Sequence, residues 1–333
     1  MIAEYESVVG EIVIQFDDGR RALFDYFWLR DHATDQESFD ARSNQRTLYT
    51  AGVDSDIVPL EVRLATSRDT LYIRWPDCSA MAEYSAEFLS RWAEPGEYSV
   101  QQQAWRSGDD LAEVVINWTA VAGHGQSRLL DIIDRRGFAL IRECPVDVST
   151  VEKVAGMLGG IQHTLFGDVW RFSADESMAD SAYTAGELRP HTDGTYSIDV
   201  PGLQMLLCCG YDAVGGESVL VDGLSIYETL QSEAPQLLDV LNTVEIPGQY
   251  IGDGVHLLAQ RPVFRCDPRG QLQQVSFNNY DRAPFRLEPA EMDRFYQALR
   301  VFEQIANDRD SQWRHTLNEG ELLVFDNWRL RSE

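Results

Sequence analysis

Short apolar segments separated by glycine and proline fill the part of the chain after residue 190. Many short, closely spaced segments of this kind predict β-strands and are typical of a β-sandwich or jelly roll. They include Leu203–Cys208, Glu217–Val221, Pro262–Cys266 and Glu321–Phe325. Two longer segments with helical periodicity, Ser225–Asn242 and Pro289–Asn307, are predicted to be peripheral helices. The sequence therefore predicts a mainly β fold with flanking helices.

The first 95 residues predict a smaller module that is also mainly β. Glu11–Phe16 alternates between apolar and polar residues, runs into the turn signal Asp17–Gly19, and resumes the alternation over Arg21–Tyr26. This pattern predicts a β-hairpin. Further strands are predicted at Val58–Leu64 and Thr70–Trp75, and a short helix at Ser85–Ala93.

A linker is predicted between this module and the rest of the chain. Residues 94–103 mix proline, glycine and polar side chains, so we expect a second domain to span about 104–333. That domain opens with a helical pattern, Gln126–Asp134, which ends at two arginines and is followed by the apolar segment Gly137–Arg142. The second pattern predicts a buried strand.

Composition narrows the classes of partner. Asp and Glu number 54 against 28 Lys and Arg, and the resulting net charge of −26 disfavours nucleic acids and anionic membrane surfaces. The N-terminus lacks the pattern of a secretory signal, so a cytoplasmic location is expected. The five cysteines include no C-x-x-C pair and predict buried thiols rather than a disulfide framework.

His191-Thr-Asp193 is the first candidate for chemistry. Residues i and i+2 of a strand point the same way, so the imidazole and the carboxylate can converge on one ion. One imidazole, one carboxylate and a distant second imidazole form the facial triad of non-haem Fe(II) oxygenases. Taken alone the triplet is a weak signal, because most single histidines in proteins are not metal ligands.

Several ordered blocks strengthen this interpretation. They are Phe27–Asp31, Ile73–Asp77, Ala182–Asp193, Pro201–Cys208, Gly215–Gly223, Phe277–Asn279 and Phe325–Arg329. In order and spacing these blocks resemble the γ-butyrobetaine hydroxylase and trimethyllysine hydroxylase family, whose members are Fe(II)/2-oxoglutarate dioxygenases related to taurine dioxygenase. The resemblance covers nearly the whole chain.

The resemblance implies a fold, cofactors and a set of residues. It implies a double-stranded β-helix in which His191 and Asp193 hold Fe(II), with Leu206 and Ser218 beside the cosubstrate 2-oxoglutarate and with O2 as oxidant. Family members pair through their N-terminal modules, so a homodimer is expected. A role in dimerisation or as a substrate lid is expected for residues 1–95.

The sequence departs from the family at the third iron ligand. In relatives, a His-Gly-Arg triplet follows the Asp-Asn-Trp-Arg block almost at once and supplies the second histidine, and an arginine for 2-oxoglutarate comes later. Here the block continues as Leu330-Arg-Ser-Glu333. Either this chain is a metal-poor relative, or the third histidine, expected after Leu330, belongs to residues that the sequence omits. Structural zinc is not expected, because the cysteine cluster that binds it in some relatives is missing.

The resemblance also implies a cage of aromatic side chains around a cationic head group, since ring faces attract a quaternary ammonium. The matching positions are Phe166, Trp170 and Tyr183, with Tyr196 nearby and Asp180 as a favourable charge. Gly194 replaces an aromatic residue that follows the H-x-D triplet in γ-butyrobetaine hydroxylase. The anionic end could be met by Asn278, Asn279 or arginines near the pocket.

Three functions remain open from the sequence. The favoured one is hydroxylation of a small trimethylammonium zwitterion, either a γ-butyrobetaine-like carboxylate or a trimethylaminoalkyl phosphonate. A second is a non-catalytic binding or scaffold protein that lacks the third iron ligand. A third is an oxygenase that acts on a free amino acid.

Overall fold

The chain divides into two compact units, residues 1–99 and 100–333. The computed structural model describes residues 1–94, 102–169, 171, 188–211, 215–252 and 254–333. Within these ranges, no helix combines the length and the apolar character needed to cross a membrane.

The N-terminal unit consists of small antiparallel sheets and two short helices. Its elements are β1 (Ile2–Val8), β2 (Glu11–Phe16), β3 (Arg21–Asp25), α1 (Tyr26–Asp31), β4 (Phe39–Asp40), β5 (Gln45–Arg46), β6 (Glu61–Leu64), β7 (Thr70–Arg74), β8 (Met81–Ser85) and α2 (Ala86–Arg91). The sheets are β1-β2-β3, β6-β7-β8 and the pair β4-β5. The predicted hairpin is confirmed, with Glu11 opposite Asp25.

An ion pair between a buried arginine and an exposed aspartate joins two of the sequence blocks in this unit. Arg30 is almost fully buried, and its Nε lies 2.9 Å from Oδ1 of Asp77. The guanidinium also donates to the Ser38 hydroxyl at 2.8 Å. The Trp-Leu-Arg-Asp and Trp-Pro-Asp blocks therefore meet through their charged residues, while Leu29 and Trp75 from the same blocks lie in the apolar core.

The second unit is a set of β-sheets with helices packed around them. Its strands are β9 (Val115–Asn117), β10 (Phe138–Arg142), β11 (Leu203–Leu207), β12 (Ser218–Asp222), β13 (Ile246–Gly252), β14 (Val255–Arg261), β15 (Phe264–Cys266), β16 (Leu272–Val275), β17 (Gln312–His315), β18 (Leu322–Asp326) and β19 (Leu330–Ser332). Its helices are α3 (Trp118–Gly123), α4 (Gln126–Arg136), α5 (Val148–Leu158), α6 (Gly223–Glu233), α7 (Pro235–Thr243) and α8 (Pro289–Asn307). The prediction of a mainly β fold with flanking helices is confirmed.

The strand order places distant segments side by side. One sheet runs β11-β18-β10-β9 and another runs β17-β12-β19, while β13-β14 and β15-β16 form separate pairs. Successive residues of β12 alternate between two apolar clusters: Leu220 packs in one, and Val219 and Val221 pack in the other. This strand is therefore buried on both faces, which agrees with its nearly continuous apolar sequence.

The single helix predicted over Ser225–Asn242 is wrong, because the structure has α6 and α7 there, with a break at Ala234. Ala234 has φ −148° and ψ 57°, so it lies outside the helical region, which a following proline disfavours. Pro235 has no backbone N–H to continue α6, but it is well suited to the first turn of a new helix.

A buried ion pair connects β12 with the segment that joins β18 to β19. The Arg329 guanidinium meets both carboxylate oxygens of Asp222 at 3.0 and 2.9 Å, and both side chains are almost fully buried. Arg329 also donates to the carbonyls of Arg135 and Gln103, and Asp222 accepts from the Trp105 backbone N–H at 3.0 Å. Each buried charge is thus both paired and hydrogen-bonded.

Replacing one partner of this pair leaves the other charge buried without compensation. We expect Arg329→Met to lower the free energy of unfolding by about 3–5 kcal/mol, as measured by urea denaturation. Asp131→Asn, which breaks the partly exposed Asp131–Arg135 pair, should change it by less than about 0.5 kcal/mol. A loss of under about 1 kcal/mol in Arg329→Met would show that the buried pair does not stabilise this unit.

Candidate functional site

His191 and Asp193 bring their side chains together at the end of a strand pairing. The backbone of His191 pairs with Ser332 of β19 through two hydrogen bonds, of 3.0 and 2.8 Å. Thr192 points away from the pair and is buried, where its hydroxyl accepts from the Phe277 N–H at 2.8 Å. His191 Nε2 lies 3.3 Å from Asp193 Oδ1, so the two side chains converge as the i, i+2 spacing predicts.

Neighbouring groups fix the orientation of both side chains. His191 Nδ1 lies 2.9 Å from the Arg189 carbonyl, which can only accept a proton, so Nδ1 carries the hydrogen. In an ion pair with Asp193 the charged ring also carries a proton on Nε2, and loss of that proton, which metal binding requires, leaves the lone pair on Nε2, the atom that faces Asp193. The Gln204 amide donates to Asp193 Oδ2 at 2.9 Å. Such outer contacts are what a metal-binding imidazole and carboxylate need to hold their geometry.

The electrostatics favour an ion pair between these two groups. Burial disfavours the charged form of each, but the hydrogen bond between them and their opposite charges outweigh it. The pKa of His191 is therefore raised above its ordinary value, and that of Asp193 is lowered. The imidazole is 13% exposed and the carboxylate 46% exposed, so a ligand can reach the pair from the Asp193 side.

Asn327 holds the backbone around Asp193. Its side-chain Oδ1 accepts from the Asp193 N–H at 2.8 Å, and its Nδ2 donates to the carbonyls of Asp193 and Pro201 at 3.1 and 2.9 Å. The side chain is fully buried. Asn327 lies in one of the sequence blocks, but no local pattern predicts this role for it.

The residue that faces His191 across the strand pair is Ser332. Directly opposed residues of antiparallel strands project to the same face, so the Ser332 side chain neighbours that of His191. The register is held from the other face by Arg331, which is buried against the Phe302 ring and donates to Glu303 at 2.7 Å. The third histidine expected after Leu330 stays a prediction.

The two side chains fit as part of a ferrous site. A neutral imidazole nitrogen and a carboxylate oxygen on one open face are two donors of the facial arrangement that such iron takes. Among the residues that the structure describes, no group of three His, Cys, Asp or Glu side chains could hold a metal ion. In the described part of the chain, His191 and Asp193 are thus candidates for two of the three expected protein ligands.

The residues expected beside 2-oxoglutarate lie on strands that lead to this pair. Leu206 is half-buried on β11, two residues from Gln204 and so on the same face as the amide that reaches Asp193. Ser218 begins β12 and shares a face with Leu220, which lies opposite Ser332. Both assignments stay predictions, and Gln204 is a contact that the sequence did not indicate.

Aromatic side chains gather beside the His191–Asp193 segment. Tyr250 of β13 lies with its ring centroid 5.3 Å from that of Tyr196 and 6.0 Å from that of Phe166. Phe166 and Tyr196 are two of the predicted cage residues, whereas the sequence does not indicate Tyr250 as a member of this cluster. Trp170, Asp180 and Tyr183 lie outside the described residues.

The two asparagines differ in their surroundings. Asn278 is buried, donates to Asp281 Oδ2 at 2.9 Å and accepts from the Tyr280 N–H at 2.9 Å, whereas Asn279 is exposed. Their assignment to the substrate stays a prediction. Gly194 has a φ of +73°, and a Cβ there would come within 2.9 Å of Pro201, so a side chain at this position would be strained.

Comparisons with known proteins show the family. The model of the family described as "Taurine catabolism dioxygenase TauD, TfdA family" matches residues 105–330. A model described as "Gamma-butyrobetaine hydroxylase-like, N-terminal" matches residues 5–90.

Individual relatives span most of the chain. Human mitochondrial trimethyllysine dioxygenase is 30% identical over 92% of this chain and 75% of its own length. Trimethyllysine dioxygenase of Meyerozyma guilliermondii is 29% identical over 97% and 87%, and human gamma-butyrobetaine dioxygenase is 26% identical over 99% and 88%. A solved structure of taurine dioxygenase type from Burkholderia xenovorans covers 63% of this chain and 76% of its own at 13% identity, with a TM-score of 0.50, and is similar in fold.

The Asn327 contacts predict a measurable effect on the site. Asn327→Asp keeps the shape but turns a two-proton donor into an acceptor that faces the Asp193 and Pro201 carbonyls. We expect Mn(II) affinity, measured by calorimetric titration, to fall about 10- to 100-fold, because outer contacts hold the ligand in place. The matched control is Asn117→Asp at an exposed helix cap, which should bind Mn(II) like the wild type. Equal affinity in Asn327→Asp would contradict a positioning role.

Proposed function

Because the chain belongs to the taurine catabolism dioxygenase TauD, TfdA family, it is a 2-oxoglutarate-dependent dioxygenase, and we propose that it hydroxylates a small trimethylammonium zwitterion. Iron and 2-oxoglutarate, the cofactors of this family, supply the activation of dioxygen for hydroxylation of a C–H bond while 2-oxoglutarate is converted to succinate and CO2. The protein provides binding, orientation and exclusion of water.

In this proposal the side chains of His191 and Asp193 bind the iron. Support comes from their convergence, from the Nδ1 contact that leaves Nε2 available, and from the Gln204 amide on the outer oxygen of Asp193. Leu206 and Ser218 would contact 2-oxoglutarate. Leu206 lies on the same face of β11 as Gln204, and Ser218 lies on the same face of β12 as Leu220, the residue opposite Ser332. The fold that goes with these roles is a double-stranded β-helix.

The proposal of a trimethylammonium substrate rests on the aromatic cluster. Phe166, Tyr196 and Tyr250 form consecutive ring contacts, and Tyr196 lies three residues after Asp193. A quaternary ammonium cannot donate hydrogen bonds, so stacked and tilted ring faces are the protein groups that attract it best. Such a cluster beside the iron-binding pair would hold the cationic head while a carbon of the substrate lies at the metal.

The relatives support the same class of substrate. The relatives named above are dioxygenases of trimethyllysine and γ-butyrobetaine, which both carry a trimethylammonium group. The net charge of −26 also favours a cation over an anion as the approaching group. A trimethylaminoalkyl phosphonate has the same cationic head and belongs to the same proposal. Pairing of two chains and a cytoplasmic location stay predictions.

Succinate formation with a panel of substrates tests the proposed reaction. With Fe(II) and 2-oxoglutarate present, we expect trimethyllysine, γ-butyrobetaine or 2-(trimethylamino)ethylphosphonate to stimulate succinate release at least 10-fold. Free lysine should not, because it lacks the quaternary nitrogen. His191→Ala and Asp193→Ala should abolish the stimulated rate. Stimulation by lysine alone, or full turnover in either variant, would contradict the proposal.

Tyr250 gives a test of the cation site itself. Tyr250→Ala removes the ring that contacts both Phe166 and Tyr196, and a cation–π contact that excludes water contributes up to about 2 kcal/mol. We therefore expect KM for the quaternary substrate to rise roughly 10- to 30-fold, with KM for 2-oxoglutarate unchanged. Tyr250→Phe keeps the ring face and should stay near the wild type. A larger effect in Tyr250→Phe than in Tyr250→Ala would assign the role to the hydroxyl instead.

A further inference from the structure

A small cavity beside β13 contains two arginine side chains that the proposed site leaves unexplained. It encloses about 10 Å³, which is on the order of what one water-sized oxygen needs. Its lining includes Thr195, Gly248, Arg261, Ser276, Asn278 and Arg282. Thr195 is two residues from Asp193, so the cavity adjoins the segment that carries the iron-binding pair.

Both arginines project from the same face of the sheet around β13. Arg261 of β14 lies directly opposite Ile246, and Arg282 forms a bridge with Gly248 on the other side of the strand. Ile246 and Gly248 are i and i+2 of β13, and opposed residues share a face. A Cβ on Gly248 would come within 2.6 Å of the Thr195 backbone, so this face is pressed against the segment that follows Asp193.

Each arginine keeps a nitrogen that is buried without a partner. The NH1 atoms of Arg261 and Arg282 are both inaccessible to solvent and make no hydrogen bond. Arg261 uses NH2 to donate to the Ser197 carbonyl, and in the described part of the chain neither arginine forms an ion pair. Two guanidinium groups with buried, unsatisfied donors around one cavity are costly unless an anion neutralises them.

The carboxyl group of Asp281 does not fill this need. Asp281 Oδ2 accepts from Asn278 Nδ2 at 2.9 Å and from the Thr195 hydroxyl at 3.3 Å, and it makes no ion pair with either arginine. Burial raises the pKa of Asp281 to about 6, and even when ionised this single carboxylate balances only one of the two guanidinium charges. The lining of the cavity therefore has an excess of positive charge.

We infer that Arg261 and Arg282 bind the anionic end of the substrate, with one of its oxygens placed between the two NH1 groups. This inference rests on the proposed function, since it assigns the second end of the same zwitterion. The proposed ligand is a carboxylate or phosphonate oxygen of the substrate. A carboxylate of 2-oxoglutarate could supply the same oxygen, so the experiment must distinguish the two sources.

The position of the aromatic cluster supports this assignment. Tyr250, which contacts Phe166 and Tyr196, follows Gly248 by two residues on the same face of β13. Along β13, Tyr250 lies about 7 Å from Gly248 and about 14 Å from Ile246, and these two distances bracket the separation of the two subsites. One strand would present a cation site and an anion site in line, which favours a zwitterion with several carbon atoms between its charges over a one-carbon spacer.

The experiment compares a zwitterion with a cation that lacks its anionic group. γ-Butyrobetaine, trimethyllysine and n-butyltrimethylammonium are titrated by calorimetry into the full chain with Mn(II) and 2-oxoglutarate bound. The wild type should bind at least one zwitterion about 10- to 100-fold more tightly than n-butyltrimethylammonium. Arg261→Gln and Arg282→Gln should each remove most of that difference, while the affinities for n-butyltrimethylammonium and 2-oxoglutarate stay within about twofold of the wild type.

A matched charge control is available on the next strand. Arg265 is exposed, does not line the cavity, and lies over the Trp328 ring. Arg265→Gln removes the same charge from the neighbourhood and should leave the preference for the zwitterion unchanged. Arg261→Lys and Arg282→Lys, which keep a charge in place, should retain part of the preference and so separate loss of recognition from loss of folding.

Each contrary result has a distinct meaning. The inference is wrong if the glutamine variants keep the full preference, if Arg265→Gln loses it equally, or if only 2-oxoglutarate binding weakens. It is also wrong if the wild type shows no preference for either zwitterion. If the wild type fails to bind n-butyltrimethylammonium as well, the proposed trimethylammonium substrate is itself contradicted.

Discussion

The amide side chain of Asn327 is the contact on which the geometry of the site depends. It bonds the N–H and the carbonyl of Asp193 and the carbonyl of Pro201, from a position 134 residues along the chain. Asn327 is itself placed by Arg329, two residues on, whose guanidinium is paired with Asp222 in the core. A buried ion pair thus fixes the segment between β18 and β19, and that segment fixes the loop that carries the candidate metal ligands.

Three strands meet at the segment His191–Thr195. β19 places Ser332 beside His191, β11 carries Gln204 to Asp193, and β13 lies against Thr195 through the missing side chain of Gly248. The His191–Asp193 pair is therefore the meeting point of elements that are far apart in sequence. In the proposed function, the substrate lies along β13 beside this point, with aromatic rings near one end and arginines near the other.

Local patterns predicted the local structure well. The β2-β3 hairpin, α4 and α8 follow from alternation, turn residues and helical periodicity, and so does the convergence of the His-Thr-Asp side chains. Pro235 is also a local signal for the break between α6 and α7, but the helical periodicity on both sides of it predicts one continuous helix. The remaining parts of the site could not be predicted. Tyr250 and the two cavity arginines contact residues far away in the chain, and Gln204 reaches Asp193 from the next strand, so nothing in their own neighbourhoods marks them.

Binding of Mn(II) in the presence of 2-oxoglutarate tests the central claim most directly, because it needs neither the substrate nor turnover. Titration of the wild type, followed by electron paramagnetic resonance, should show one site per chain, and the affinity should fall at least 100-fold in His191→Ala and in Asp193→Ala. A wild type that binds no Mn(II), or a site whose affinity is the same in both variants, would show that this imidazole and carboxylate do not hold the metal.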